Sequence, residues 1–214
     1  NAINGITHLL LEENPKPNQL HYLNSLKFSG NYLLTFINEI LEINRIESNS
    51  VEIEYINFDV KKQLIDIQNS LKELATNNNN EFIVEIDENI PNHLISDPTK
   101  LSQIFLNLIN NALKFTKNGE VKVIAKQVDS DEKSSTLNFQ IIDTGIGIAK
   151  EKQSTIFDSF SQGSIEINRK YGGTGLGLAI VKKLVDMLGG TITLESELGI
   201  GTVFTFEVKM EHGC

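Results

Sequence analysis

The chain is 214 residues long, 40% hydrophobic and 22% charged, with a formal net charge of −9 and a single cysteine, Cys214. Its apolar content supports one large domain, or a domain with an appendage, and its acidity excludes a nucleic-acid binder, whose phosphate contacts need a basic stripe. One cysteine excludes an internal disulfide framework and a cysteine-cluster metal site and suits a reducing cytoplasm, and no apolar run reaches the roughly 18 residues of a membrane span.

The opening "NAINGITHLLLEENPKPN" reads as the end of one helix, broken by Asn14-Pro15 and Pro17. A long second helix is predicted from about Asn18 to Ser48. Within it Leu23, Leu26, Gly30, Leu33, Ile37, Ile40 and Asn44 recur at alternating spacings of three and four, a heptad seam. Leu34 and Leu41 widen that face toward what a four-helix bundle requires. One hairpin supplies only two helices, so the pattern predicts a homodimer through residues 1–50; the alternative is a helical hairpin packed on the following domain.

From Val51 the pattern becomes mixed, and a second domain is expected over 51–214. "VEIEYINF" reads as a strand, Asp59 as the cap of a helix through about Ala75, and Asn77–Asn80 as a polar loop before the strand "EFIVEID". Pro98 opens a helix expected to end near Asn118-Gly119. "EVKVIAKQV" and "TLNFQIID" read as antiparallel strands around the loop "DSDEKSS". Residues 157–173 have little periodicity and read as a loop. "GTGLGLAIVKKLVDML" is a helix, and "TITLES" and "GTVFTFEVK" are closing strands. Strand runs with helices to one side predict an α+β fold, a two-layer α/β sandwich preceded by the hairpin.

An acidic chain that takes an anionic ligand must supply a metal ion or a local group of cations. On the helix containing "NLINNALKFT", Asn107, Asn111 and Lys114 share one face, while Leu101, Ile104, Leu108 and Phe115 lie on another that can pack on a sheet. Two amide oxygens and an ammonium in a row suit Mg²⁺ and phosphate; a merely solvated face is the alternative. "DTGIGI", residues 143–148, follows a strand: Asp143 can accept a hydrogen bond, and Gly145 and Gly147 let the backbone approach a flat ligand beside Ile148. Alone, it is equally a turn. "GGTGLGLAI", residues 172–180, opens a helix whose free N–H groups favour phosphate, although it is neither a Walker A loop nor a dinucleotide fingerprint. "GIGT", ending at Thr202, is a weaker signal.

Taken in order, these stretches resemble the nucleotide-binding domain of the sensor histidine kinases, the Bergerat fold shared with the gyrase, chaperone and mismatch-repair ATPases. "NLINNALKFT" resembles the N box, "DTGIGI" the first glycine box, "IFDSFSQ" with Phe157 and Phe160 the F box, and "GGTGLGLAI" and "GIGT" the later glycine boxes. The hairpin is similar to the family's dimerisation and phosphotransfer module, and "GNYLLTFINEILEINRIES" resembles its second helix in hybrid kinases.

The resemblance implies ATP and Mg²⁺ as ligands. Asn111 would bind Mg²⁺, Asn107 would assist it or the phosphates, and Lys114 would contact phosphate. Asp143 would accept from the adenine amino group, with Gly145, Gly147 and Ile148 beside the base. Gly173, Thr174, Gly175 and Gly177 would shape the end of the ATP lid, Leu176 and Leu178 would pack nearby, and Arg169 and Lys170 would meet the triphosphate. In the related ATPases a glutamate at the position of Asn107 activates water; an amide cannot take that proton, so slow hydrolysis and transfer to a histidine are implied. The phosphoryl group would pass onward to an aspartate of a response-regulator receiver domain.

In the family the acceptor histidine lies in a segment immediately before one like "NAINGI", so it is expected just upstream of Asn1, and this stretch is expected not to autophosphorylate alone. His8 is followed by Leu9 rather than an acid and reads as structural, as do His21, His93 and His212. Competing readings are a nucleotide-regulated scaffold and a true ATPase, the latter disfavoured by Asn107. The expected setting is cytoplasmic, with any membrane anchor elsewhere in a longer parent.

Overall fold

The computed structural model describes residues 2–48, 50–159 and 174–213. Helix α1 (Ala2–Glu12) and helix α2 (Pro17–Glu47) form the hairpin. Asn14 adopts a left-handed conformation (φ 51°) at the break, and Pro17 starts α2, where its missing N–H costs nothing. The two helices cross closely at Gly30, where a Cβ would overlap the Asn4 side chain, and Asn4 donates to Asn31 at 2.7 Å beside it. Gly30 is therefore a helix-crossing residue as well as a position in the heptad pattern. Leu26, Leu33, Ile37 and Leu41 of that pattern and its flank are exposed. Ile40 instead turns toward the body of the protein, joining Phe36 and the buried Ile43 and Ile46.

The body is a mixed sheet covered on one face by helices. Strands β1 (Ile56–Phe58), β2 (Glu81–Ile86), β3 (Leu94–Ser96), β4 (Glu120–Ser130), β5 (Ser134–Asp143), β6 (Thr191–Glu197) and β7 (Gly201–His212) run in the order β1-β3-β7-β5-β4-β2, with β6 also paired to β7. Only the β2–β4 pairing is parallel among these. Helices α3 (Val60–Asn77), α4 (Pro98–Phe115) and α6 (Gly177–Met187) pack on the sheet, and a short helix α5 (Lys150–Gln153) follows β5.

The core follows from the two periodicities. Strands β4, β5 and β7 bury alternate residues: Val121, Val123 and Ala125; Leu137, Phe139 and Ile141; Phe204, Phe206 and Val208. Helix α4 answers with Leu101, Ile104, Phe105, Leu108, Ile109 and Leu113, all buried. Phe105 meets Phe139 edge-on at 5.0 Å, and Phe139 stacks on Phe206 at 4.9 Å. Such aromatic pairs add about 0.5–1.5 kcal/mol each beyond the area they bury.

Several boundaries differ from the sequence expectations. Only the last three residues of "VEIEYINF" form a strand; upstream, the Glu54 N–H donates to the Asp97 carboxylate at 3.1 Å instead of to a sheet partner. Strand β3 was not foreseen, because three residues are too few for alternation to register. Helix α4 ends at Phe115: Thr116 is extended, and Asn118 (φ 52°) turns the chain into β4. The hairpin after β4 is tighter than "DSDEKSS" implies, since Asp131 accepts from the Lys133 and Ser134 N–H groups and the Ser134 hydroxyl. Those bonds hold the Asp131 carboxyl well below the usual range. Asp59 caps α3 as expected, accepting from the Lys61 and Lys62 N–H groups at 2.9 and 3.1 Å.

Candidate functional site

The glycine-box residues converge where β5 ends and β7 begins. Asp143 pairs with Thr202 across that edge. The buried Asp143 carboxylate accepts the Gly145 N–H at 2.8 Å and the Thr202 N–H. Burial pushes its carboxyl above the ordinary aspartate range, and the two N–H donors oppose the shift. Two glycines are required by space and conformation. Gly147 (φ 65°) would clash through a Cβ with the Glu197 carbonyl, and Gly201 (φ 146°) with the Asp143 carbonyl. Gly145 lies against the end of α4, where a Cβ would stand 2.6 Å from the Phe115 carbonyl oxygen.

Two residues that the motifs did not single out hold this edge together. The Ser196 hydroxyl accepts the Ile148 N–H at 2.8 Å, donates to the Gly201 carbonyl at 2.9 Å and lies 3.0 Å from the Thr202 hydroxyl. Gln153 donates to the Ile148 and Ser196 carbonyls at 2.7 and 2.9 Å. Neither lies inside a glycine box, so only the tertiary contacts reveal them. Phe157 packs edge-on to Phe204 at 6.2 Å.

The other pole is built by α4 and α6. Asn107, Asn111 and Lys114 are half-buried on one face of α4. The Asn107 side-chain oxygen is 3.6 Å from where a Gly177 Cβ would stand, so the opening of α6 abuts the amide row. Gly175 takes a left-handed φ of 74°, Leu176 is fully buried, and Leu178 packs against the core. The Thr174 hydroxyl accepts the Leu176 N–H at 3.2 Å. Burial lowers the Lys114 ammonium below the usual lysine range, and nearby Glu39 opposes that shift. Phe160, Arg169, Lys170 and Gly173 lie outside the described residues.

Glu39 is the contributor the sequence concealed. It belongs to α2, 135 positions from Thr174, yet its carboxylate accepts the Thr174 hydroxyl. A heptad pattern carries no sign of such a contact. Further along α2, Glu42 accepts from Gln103 of α4, and Glu47 meets Lys183 of α6 at 2.6 Å.

From Phe115, against Gly145, back to Asn107, against Gly177, α4 runs eight residues, about 12 Å at the usual helical rise. The candidate site thus extends along α4, with a buried carboxylate beside its Phe115 end, Lys114 and Asn111 in between, and Asn107 toward Gly177. Among the described residues no three His, Cys, Asp or Glu side chains gather into a metal site, so the amide oxygens of Asn107 and Asn111 are the candidate cation donors on α4. His8 lies on the exposed side of α1, 3.3 Å from Glu12, away from these groups. Among the described residues no helix is long and apolar enough to cross a membrane.

Residues 96–212 match the family described as histidine kinase-, DNA gyrase B- and HSP90-like ATPase. The chain is 35% identical over 211 residues to the signal transduction histidine-protein kinase BarA of Escherichia coli, covering 99% of this chain and 23% of that protein. It is 39% identical over 208 residues to the hybrid signal transduction histidine kinase L of Dictyostelium discoideum, covering 97% of this chain and 12% of that one. The chain therefore spans less than a quarter of the length of these relatives. The crystal structure of full-length ShkA in complex with AMPPNP superposes with a TM-score of 0.81 at 29% identity, covering 99% of this chain and 43% of that one. Fold and sequence agree: the chain belongs to the histidine kinase-, DNA gyrase B- and HSP90-like ATPase family.

Proposed function

We propose that this chain is the ATP-binding catalytic part of a sensor histidine kinase, which transfers the γ-phosphoryl group of ATP to a histidine and onward to a response-regulator aspartate. The observation that carries the reading is the row of Asn107, Asn111 and Lys114 on one face of α4, with Asn107 against the Gly177 end of α6 and Asp143 buried beside the Phe115 end of α4.

The donor set fits Mg²⁺ held together with a nucleotide. Amide oxygens are hard ligands but neutral, so the ion's charge must be balanced mainly by phosphate oxygens. Asn111 would hold it, assisted by Asn107, and the bound ion would neutralise charge on the phosphates. Lys114 would take a phosphate oxygen directly, and the N–H groups opening α6 at Gly177 would favour the same anion. Asp143 would accept from the adenine amino group, with Gly145, Gly147 and Ile148 against the base and Thr202 beside the carboxylate. Thr174, Gly175, Leu176 and Leu178 would shape the phosphate end, with Phe157 packing behind.

Asn107 bears on the outcome. A carboxamide takes no proton from water near neutral pH, so the γ-phosphoryl is reserved for a protein nucleophile. The lone pair of a neutral imidazole nitrogen would form the new bond to phosphorus as the bond from phosphorus to the bridging β-phosphate oxygen breaks; ADP leaves with the electrons of that broken bond, and the other ring nitrogen releases its proton to solvent. The nucleophile would be a histidine of the dimerisation and phosphotransfer module, and the use of ATP as phosphoryl donor supports a cytoplasmic setting. Residues 1–50 would serve as the dimerisation hairpin and 51–214 as the catalytic domain. The exposed ridge of Leu26, Leu33, Ile37 and Leu41 supports a homodimer. The partner downstream would be a receiver domain.

The test is acid-labile labelling from Mg²⁺-ATP carrying a radioactive γ-phosphate. This chain is incubated alone, then mixed with an upstream-extended version bearing Asn111→Ala. Label on the extended partner only is expected. Label on the short chain itself would place the acceptor within it, and nucleotide binding without label on either would favour a scaffold.

A further inference from the structure

Helix α2 docks an acidic edge on α4 and α6, and one of its acids, Glu39, ends up at the phosphate pole of the site, a placement that no motif in the chain accounts for. Glu39 accepts the Thr174 hydroxyl, Glu42 reaches Gln103 of α4, and Glu47 is 2.6 Å from Lys183 of α6. The apolar side of the same docking is Phe36, Ile40, Ile43 and Ile46 against the core. Among the described residues, Glu39 is the one of these three acids that touches a residue of the proposed nucleotide site, Thr174, and it shares the neighbourhood of Lys114. Burial raises the Glu39 carboxyl and lowers the Lys114 ammonium, and each group opposes the other's shift.

We propose that Glu39 is a nucleotide-displaceable occupant of the phosphate pole: its carboxylate and the triphosphate compete for Lys114 and Thr174, so that nucleotide binding and docking of α2 on α4 and α6 oppose each other. The inference rests on the ATP-site reading above. A carboxylate and a phosphate both require the same half-buried ammonium, and two anions sharing one cation repel each other in a partly dehydrated site. By linkage the antagonism is reciprocal, whichever group arrives first. The apolar contacts and the Glu42 and Glu47 contacts lie off the nucleotide groups and give α2 an independent hold, so neutralising Glu39 removes the competitor without removing the helix.

The experiment is a calorimetric titration with Mg²⁺-AMPPNP of the unmodified chain, Glu39→Gln and Asn111→Ala. Glu39→Gln is expected to bind about tenfold more tightly, within the usual range of coupling between sites, and an equal or weaker affinity would overturn the competition. A second measurement does not depend on that variant. Cysteines introduced by Glu47→Cys and Lys183→Cys in a Cys214→Ser background, joined by a short bis-maleimide, hold α2 docked. The joined protein is expected to bind about tenfold more weakly than its unjoined control, and equal affinity would overturn the proposal. No nucleotide binding by the unmodified chain would instead overturn the ATP-site reading itself, whereas binding that Asn111→Ala removes would keep that reading whatever Glu39 does.

Discussion

Helices α4 and α2 are both amphipathic, but they use their apolar faces differently. Every large apolar residue on the inner face of α4 is buried within this chain: Leu101, Ile104, Phe105, Leu108, Ile109 and Leu113. Its opposite face is thereby held at a fixed height over the sheet, and three polar side chains on it keep their spacing. Helix α2 is longer, yet only Ile43 and Ile46 are buried, while Leu33 is 51% and Ile37 44% exposed. A helix satisfied by its own domain can serve as a rigid platform. A helix satisfied at one end only is suited to changing neighbours, and α2 carries Glu39 at the boundary between its docked and exposed parts.

That contrast breaks most sharply on core substitutions. Leu108→Ala should cost about 2–5 kcal/mol in urea denaturation, because a fully buried leucine leaves a cavity that packed neighbours fill incompletely. Ile37→Ala, measured at concentrations where the chain is monomeric, should stay within about 0.5 kcal/mol. Comparable losses at the two positions would mean that α2 is held within its own chain as firmly as α4.

Next in size is the glycine edge beside that platform. Gly201→Ala combines a φ of 146° with a clash against the Asp143 carbonyl, so a loss of at least about 2 kcal/mol is expected, with reduced nucleotide affinity as Asp143 shifts. Unchanged stability and affinity would show that the β7 start yields more easily than its backbone implies.

The exposed part of α2 is probed by Ile37→Glu. Self-association measured by sedimentation equilibrium should weaken by about tenfold or more, since a charge in an apolar seam costs more than 1.4 kcal/mol once partnered. Unaltered association would move the dimer contact off this ridge. The thermal stability of the monomer should be nearly unaffected.

The smallest expected effect concerns Asp143. Its raised pKa in the fold means that folding favours the protonated carboxyl, so the carboxylate's destabilising contribution grows as pH rises from the ordinary aspartate range through the higher folded value. Asp143→Asn keeps an acceptor for the Gly145 and Thr202 N–H groups and does not titrate. The variant should match the parent near pH 3 and become the more stable of the two toward pH 7, while losing its acceptor strength for an adenine amino group. A parent that gains stability relative to the variant over that interval would reverse the assignment of burial as the dominant cause.

Much of this could be read before any fold was known, because it rests on local spacing. The 3.6 period of α4 placed Asn107, Asn111 and Lys114 on one face and the leucines on another, and the ordered boxes carried the family. Strand β3 was not legible, since three residues cannot display a period and its pairing with β7 links positions more than a hundred residues apart. The early end of α4 was hidden because Thr116 and Asn118 turn the chain through contacts with its neighbours, not through a breaker such as proline.

The sequence by itself determined the layered fold, the apolar seam of the hairpin and the polar row on α4, since each is a repeat that one helix or strand expresses alone. The tertiary structure alone decided that Ser196 and Gln153 hold the glycine edge, that Gly30 allows the hairpin to cross, and that Ile40 faces the core. It also decided that Glu39 reaches Thr174. A side chain's partner across such a distance depends on how whole elements pack, and no local pattern encodes it.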